Sequence, residues 1–394
     1  MAADPAPADR AVERLVARYD ASVFHLGRPR ARIRVSGRGI DTRDVVIEGE
    51  RARLAPANGA RPDAELVADG ETWQRLAADV RDGMAAFRAG RLRIRRDLHL
   101  GVGFLAATSS AGGEGRLRIA AVKTSTGRIS IMEAGTGEPV LLIHGLGATK
   151  ASFLPTLAAL ADSHRVIALD LPGFGDSAKP LGGAYDAAFF ARATVGLMDA
   201  LGLERAHLIG NSMGGRVALE TGLLSPERVG RLALLAPSLA WLRPRPWASA
   251  LRFVPTQLGL IQPAPRPVVE AIVRRLIPGA DNEWTAAGID EFLRSYLTPS
   301  GRAAFYAAAR SIYLEEPWGP DGFWTRLPSL RPPALFVWGR HDRLVPIAFA
   351  RHVRRALPGS EHLELDCAHV PQLERPRRTH EAIGRFLAAE GRSS

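Results

Sequence analysis

The apolar residues beyond about residue 115 fall into short continuous runs, and stretches with helical spacing lie between them. Runs of about 4–8 apolar residues are typical of strands that are buried on both faces of a parallel sheet. These runs occupy residues 139–143, 165–170, 205–209, 231–236, 334–339 and 362–365. The alternation predicts an α/β fold with a doubly wound, mostly parallel sheet over residues 116–391.

The N-terminal part of the chain has a different pattern, in which helices and short alternating strands follow one another closely. It predicts an amphipathic helix at 11–25, strands at 31–36, 44–48, 51–54, 64–68 and 91–95, and helices from 70 and at 98–107. Asp69 or Thr72 can cap the helix that starts at Gly70. We therefore expect a disordered N-terminus at 1–9, a separate α+β domain at 10–108 and a glycine-rich linker at 109–115.

A long insertion separates the apolar run that ends at Ala236 from the run that begins at Ala334. Connections in such folds are usually a few residues long, and this one has about a hundred. Its helical stretches and its aromatic residues predict a cap over the site at about 238–330. A cap of this kind suits a substrate with an acyl chain or a ring system.

Composition narrows the class of protein. The chain has 394 residues and a formal net charge of +11, but no basic run is interleaved with aromatic residues, so we expect no nucleic-acid partner. The single Cys367 excludes an internal disulfide and fits a reducing compartment. With no secretory signal pattern and no run of about 18 apolar residues, we expect a cytoplasmic protein without a transmembrane segment. Peripheral contact with a membrane stays open.

The candidate nucleophile, Ser212, lies in Gly210-Asn-Ser-Met-Gly214, where an apolar strand turns sharply into a helix. Such a turn forces Ser212 into a strained conformation and brings strand and helix so close that a Cβ at either glycine would clash. Upstream, His144-Gly-Leu-Gly147 ends another strand, and its backbone N–H groups can face an incoming carbonyl. The N–H of Met213 would be a second donor to a developing oxyanion.

A serine nucleophile requires an imidazole base and a carboxylate that orients the imidazole. Asp342 and His369 each follow a predicted strand, where ligands bind in doubly wound folds. Asp366 is an alternative acid. His341 adjoins the acid, while we expect His144 to form local hydrogen bonds.

These motifs, in this order, resemble the serine esterase, lipase and C–C hydrolase branch of the α/β-hydrolase fold over residues 115–391. Asp170-Leu-Pro-Gly-Phe-Gly-Asp-Ser177 and Trp338-Gly-Arg-His-Asp342 belong to the same resemblance. The resemblance implies that Ser212 is the nucleophile, His369 the general acid/base and Asp342 its orienting acid. It also implies that Leu146 and Met213 supply the oxyanion-hole N–H groups.

The N-terminal segment resembles a sterol-carrier-protein-type lipid-binding domain, through Asp69-Gly-Glu-Thr-Trp73 and Ala89-Gly-Arg-Leu-Arg-Ile-Arg-Arg-Asp97. The resemblance implies a fatty acyl or sterol-like ligand. The sequence departs from the family at Arg96, where glycine is usual. The alternative is a small α+β module that only packs on the hydrolase.

Together, these features predict a serine hydrolase that cleaves a carboxylic ester with an apolar acyl or alcohol portion, without a metal or organic cofactor. The first alternative is hydrolysis of carbon–carbon bonds in ring-cleavage products. That branch usually has Trp after the catalytic His, whereas Val370 follows here. Dehalogenase and epoxide hydrolase chemistry is disfavoured because those relatives carry an aspartate where Ser212 stands. The last alternative is a non-catalytic lipid carrier.

Overall fold

The computed structural model describes residues 7–79, 82–109, 115–242, 248–276 and 283–389. The strands are β1 Arg30–Ser36, β2 Arg43–Glu48, β3 Arg51–Pro56, β4 Ala64–Ala68, β5 Leu92–Arg95, β6 Arg118–Thr124, β7 Gly127–Ala134, β8 Glu138–Ile143, β9 His164–Leu169, β10 Ala206–Asn211, β11 Val229–Leu235, β12 Ala334–Gly339 and β13 Glu361–Leu365. The helices are α1 Pro7–Ala17, α2 Gly70–Ala78, α3 Asp82–Arg88, α4 Leu98–Ala107, α5 Leu154–Leu160, α6 Ala187–Ala200, α7 Met213–Leu224, α8 Leu258–Ile261, α9 Arg266–Leu276, α10 Glu283–Tyr296, α11 Pro299–Leu314, α12 Phe323–Arg326, α13 Phe349–Ala356, α14 Pro371–Glu374 and α15 Pro376–Ala388.

The chain divides into two compact units that are not contiguous in sequence. Unit 1 comprises Met1–Ala120 together with Ala264–Arg294, and unit 2 comprises Ala121–Pro263 together with Ser295–Ser394. Residues 264–294, which we call the inserted segment, come from the stretch that the sequence analysis assigns to the cap. Residues 1–6 of the expected disordered terminus and 110–114 of the expected linker lie outside the described residues.

Unit 1 is built on a five-stranded sheet in the order β3-β2-β1-β4-β5. Strands β1 and β4 are parallel, and the other neighbours are antiparallel. Helix α4 is apolar, and all of its residues are buried. Of the two candidate caps of α2, Asp69 is the one observed, with its Oδ1 accepting from the N–H of Thr72 at 2.8 Å.

The first helix is shorter than its sequence pattern suggests. Helix α1 begins at Pro7, inside the segment expected to be disordered, and ends at Ala17 rather than near residue 25. The chain stops being helical because Asp20 caps a new 3₁₀ turn, its Oδ1 accepting from the N–H of Ser22 at 3.0 Å. Phe24 then pairs with Ile119 as an isolated bridge, which an α-helix would not allow.

The inserted segment joins the rest of unit 1 through ion pairs on a buried carboxylate. Asp290, which is 3% exposed, accepts from Nε of Arg95 at 2.7 Å, from the backbone N–H of Arg96 at 3.0 Å and from Arg266 at 2.6 Å. Arg96 has φ +76°, a conformation that favours glycine. The residue that departs from the sterol-carrier pattern therefore keeps the backbone geometry of a glycine and uses its N–H to hold the inserted segment.

Unit 2 contains the predicted mostly parallel sheet, with eight strands in the order β13-β12-β11-β10-β8-β9-β7-β6. The strands from β13 to β9 pair in parallel, and β7 pairs antiparallel with β9. The predicted α/β class is confirmed. Because the carboxyl ends of parallel strands meet at one edge, the loops after β8, β10, β12 and β13 lie on the same side of the sheet.

Candidate active site

Ser212 stands at the sharp turn between β10 and α7. Its backbone has φ +54° and ψ −118°, a conformation that costs a non-glycine residue on the order of 1–3 kcal/mol. The turn is held because the N–H of Ser212 donates to the carbonyl of Leu235 at 2.9 Å, and its carbonyl accepts from the N–H of Ser238 at 2.9 Å. A Cβ at Gly210 would lie 2.2 Å from the Gly214 carbonyl oxygen, so the strand and the helix can approach this closely only with glycine there.

The predicted acid and base are hydrogen-bonded to each other. Nδ1 of His369 lies 2.7 Å from Oδ2 of Asp342. The Asp342 side chain is inaccessible to solvent, and its Oδ1 accepts from the N–H groups of Leu344 at 2.8 Å and Val345 at 2.9 Å. Because the carboxylate oxygen accepts, Nδ1 is the donor of the neutral imidazole, which leaves the lone pair on Nε2.

Two residues that the sequence analysis did not select hold the His369 loop. Nδ2 of Asn211, the residue before Ser212, donates to the carbonyl of His369 at 3.1 Å and to that of Leu235 at 3.0 Å. The Glu374 carboxylate accepts from the N–H groups on either side of His369, from Ala368 at 2.7 Å and Val370 at 2.9 Å. The loop is thus tied to the strand end that carries the serine.

The glycine loop after β8 lies against the serine. A Cβ on Gly145 would be 3.2 Å from the Cβ of Ser212. Nδ1 of the fully buried His144 donates to the Gly145 carbonyl at 2.8 Å, and Nε2 accepts from the N–H of Leu171 at 3.0 Å. Burial lowers the pKa of His144, so the ring is neutral, as this pair of bonds requires. Because the peptide is planar and trans, fixing the Gly145 carbonyl directs the N–H of Leu146 the opposite way.

A buried ion pair supports the same loop. Nζ of Lys150 lies 2.6 Å from Oδ2 of Asp170, and the Lys150 N–H donates to Oδ1 at 2.7 Å. Burial by itself would raise the pKa of Asp170, but the Lys150 ammonium more than offsets this and holds it below its usual range. Removing either charge would leave the other buried without its counter-ion.

The alternative acid lies elsewhere. Asp366 is exposed, and its Oδ1 is 2.7 Å from Nε2 of His341. Hydrogen bonding to His341 lowers the pKa of Asp366. Asp342, and not Asp366, is therefore the carboxylate in contact with His369.

A cavity of about 510 Å³ opens beside the elbow, within unit 2. Its wall includes Met213, Tyr185, Phe190 and Arg216 together with residues of α11. The Arg216 guanidinium is buried, lies 2.8 Å from Glu220 and also pairs with Glu315. The volume is in the usual range for a small-molecule site.

Residues 138–376 match the alpha/beta hydrolase fold family. The chain belongs to this family. It is 31% identical over 272 residues to the 2-hydroxy-6-oxononadienedioate/2-hydroxy-6-oxononatrienedioate hydrolase of Paraburkholderia phymatum, covering 66% of this chain and 91% of that protein. The hydrolase fold and the hydrolase relatives identify the chain as an enzyme of this class.

Solved structures agree with the fold. The esterase from Thermogutta terrifontis is 28% identical with a TM-score of 0.55, over 68% of this chain and 98% of its own. The enol-lactonase from Burkholderia xenovorans superimposes with a TM-score of 0.57 at 23% identity, over 68% of this chain and all of its own, which supports the fold alone. The family match begins at residue 138, so the sterol-carrier resemblance of residues 10–108 stays a prediction.

Proposed function

We propose that this enzyme hydrolyses its substrate through a covalent acyl-enzyme on Ser212. His369 is the general base and acid, Asp342 orients it, and the N–H groups of Leu146 and Met213 bind the oxyanion. The contact that carries the proposal is the 2.7 Å bond between Asp342 and His369, in a loop that Asn211 ties to the serine strand.

In the first half-reaction, Oγ of Ser212 attacks the substrate carbonyl while Nε2 of His369 takes the hydroxyl proton. The imidazolium is stabilised by Asp342, whose carboxylate keeps its negative charge. The tetrahedral oxyanion accepts from the N–H of Met213, at the N-terminus of α7, where the helix dipole also favours negative charge. His369 then gives its proton to the leaving group as the bond to the acyl carbon breaks.

In the second half-reaction, His369 takes a proton from water, and the resulting hydroxide attacks the acyl carbon. Collapse of this intermediate breaks the bond to Oγ, and the proton on His369 returns to Ser212. The products are a carboxylic acid and the protonated leaving group. Each step uses the same base and the same donors.

We propose a carboxylic ester with an apolar acyl or alcohol portion as the substrate. The cavity beside Met213 supports this choice because Tyr185, Phe190 and Val217 give it an apolar wall. The Thermogutta terrifontis esterase is a structural relative with this activity in its name.

The second candidate is hydrolysis of a carbon–carbon bond, supported by the 31% identity to the Paraburkholderia phymatum enzyme and by the Gly210-Asn-Ser-Met-Gly-Gly215 motif. In that reaction the leaving group is a carbon, which must depart as an enolate and then be protonated. The two candidates share the triad and differ only in the leaving group.

A direct comparison separates them. The purified protein, with Ser212→Ala as the matched control, is assayed on p-nitrophenyl esters of increasing chain length and on 2-hydroxy-6-oxononadienedioate. We expect turnover of the esters that is lost in the control. Turnover of the dienedioate with none of the esters would transfer the assignment to the second candidate, and labelling by a fluorophosphonate with turnover of neither would contradict both.

We further propose that unit 1 binds a fatty acyl or sterol-like molecule. The buried apolar helix α4 packed at its sheet supports this, together with the sequence resemblance. The test is titration of a fluorescent fatty acid into protein whose Ser212 has been blocked by a fluorophosphonate. Saturable binding is the expected result, and its absence would leave unit 1 a structural role.

A further inference from the structure

Residues 248–262 of unit 2, which we call the cap ridge, expose large apolar side chains in close succession. Phe253 is 86% exposed, Ile261 78%, Leu258 47% and Val254 46%. Single exposed apolar residues are ordinary on a protein surface, but a contiguous group of this kind marks an interaction site.

The cap ridge is oriented with its polar backbone inward and its apolar side chains outward. Nε of Arg302 donates to the carbonyl of Gly259 at 2.8 Å, and Gly259 lies so close to α11 that a Cβ would be 2.7 Å from the Ala303 nitrogen. Nη2 of Arg310 donates to the carbonyl of Arg252 at 3.1 Å. The cap ridge therefore faces α11 with backbone carbonyls and a glycine, and its large apolar side chains face solvent.

The charges on this face are basic. The cap ridge and α11 contain no acidic residue, and their arginines outside the core are Arg252 and Arg310, since Arg302 is buried. Around the cap ridge, the sequence from 228 to 269 has no Asp or Glu at all. An apolar face with arginines and no acids complements an anionic lipid surface, where the aliphatic and aromatic groups enter the interface and the guanidinium groups meet the headgroups.

The cap ridge borders the proposed active-site cavity. Thr256 of the cap ridge and Arg310 of α11 line the same cavity as Met213. We propose that the cap ridge docks the enzyme on anionic lipid surfaces, with Phe253 and Ile261 entering the interface. Docking here brings the cavity to the lipid phase, where an apolar substrate concentrates, and it does not depend on which bond the enzyme cleaves.

The first test is co-sedimentation of the full chain with phosphatidylcholine vesicles and with vesicles that also contain phosphatidylglycerol. We expect binding to the mixed vesicles that weakens with added salt. Arg252→Gln should weaken it about fivefold, and Phe253→Ser with Ile261→Ser on the order of tenfold or more. Leu224→Ser, a 50% exposed apolar residue at the end of α7, is the matched control and should bind as wild type does.

Equal binding to neutral and mixed vesicles would overturn the proposal, as would binding that Leu224→Ser reduces as much as the cap-ridge variants do. No vesicle binding at all would also overturn it, and would point to a protein partner for the face. Turnover of a short soluble ester reports whether the double variant is folded, since Phe253 and Ile261 do not line the cavity.

The second test relies on the native cysteine staying unlabelled. Cys367 is the single cysteine and is buried, and burial raises its pKa to about 12, so it resists labelling at neutral pH. Phe253→Cys and, as a control, Leu224→Cys are labelled with a polarity-sensitive dye. We expect a blue shift at position 253 and none at 224 when phosphatidylglycerol vesicles are added. A shift at both positions, or at neither, would contradict insertion of the cap ridge.

Discussion

At the residue scale, the hydrogen bonds around Ser212 hold its backbone in a strained conformation. A residue with φ +54° persists only where its neighbours fix it, and Leu235 and Ser238 hold both sides of its peptide. Asn211 and Glu374 extend the same restraint to the His369 loop. The proposed reacting groups are therefore held by backbone hydrogen bonds before any substrate arrives, which is how a site avoids reorganisation during the reaction.

The two candidate acids give the first prediction. Asp342→Asn should lower kcat on the order of 10⁴-fold because the imidazole loses its charge partner and its tautomer. Asp366→Asn removes only the exposed contact with His341 and should retain most of the activity. The check is steady-state kinetics on a soluble ester, and the reverse ranking of the two variants would make Asp366 the acid.

Glu374 gives a prediction about positioning. Glu374→Gln keeps the size of the side chain but can accept only one of the two N–H bonds that flank His369, so kcat should fall about tenfold while KM changes little. Glu381→Gln, an exposed change on α15, is the control. A matching drop in KM and kcat, or none in either, would mean that Glu374 only stabilises the loop.

Ser212, Asp342 and His369 could be proposed from the sequence because each follows an apolar run and loops after parallel strands converge, and the structure shows the contact between Asp342 and His369. The sequence was not sufficient to select Glu374 or to exclude Asp366. Glu374 acts through backbone N–H groups, which no side-chain pattern reveals. Asp366 lies three residues before His369 in the sequence, and only the fold pairs it with His341 instead.

At the scale of elements, β13 carries a histidine whose ionisation affects stability. Burial and the nearby Arg354 guanidinium lower the pKa of His362 to about 4, and its Nδ1 accepts from Nε1 of Trp338 at 3.0 Å. An unfolded histidine has a pKa of about 6.5, so below that pH the unfolded chain binds a proton that the folded chain does not. The loss of stability that His362 causes is therefore absent above pH about 6.5 and grows as the pH falls to about 4. The free energy of unfolding should fall across that window.

His362→Asn tests this contribution because Asn keeps an acceptor for Trp338 and does not titrate. We expect urea unfolding to show a smaller loss of stability in the variant than in the wild type between pH about 7 and about 5. The same loss in both proteins would assign the acid sensitivity to other groups.

Helix α10 gives the second element-scale result, because the pairing of Asp290 with Arg95 joins residues 195 positions apart. Asp290→Ala removes the carboxylate that Arg95 and Arg266 contact and leaves the Arg96 N–H without this acceptor. Because the carboxylate is buried but both arginines are 39% exposed, this change should cost about 1–3 kcal/mol of the free energy of unfolding. Glu381→Gln, which removes an exposed pair with Arg377, should change it by less than about 1 kcal/mol. Equal effects on urea unfolding would contradict a structural role for Asp290.

At the scale of the whole molecule, the chain leaves unit 2 after Pro263, contributes α9 and most of α10 to unit 1, and returns at Ser295. Sequence patterning predicted the two folds but assigned residues 238–330 to a single cap. Helical periodicity identifies an apolar face and does not say which sheet it covers, so the sequence pattern could not assign residues 264–294 to unit 1. Within the described residues, no helix is long and apolar enough to cross a membrane.

The central claim is that Ser212 forms a covalent acyl-enzyme, and intact-protein mass spectrometry after rapid quenching with a p-nitrophenyl ester tests it most directly. The account predicts that wild-type protein gains the mass of one acyl group, located on the peptide with Ser212, and that Ser212→Ala gains none and loses turnover by on the order of 10⁴-fold or more. The folded state of the variant is checked by its thermal unfolding, which should be close to that of the wild type. Near-normal turnover by a folded Ser212→Ala protein, or an acyl group on another residue, would contradict the account.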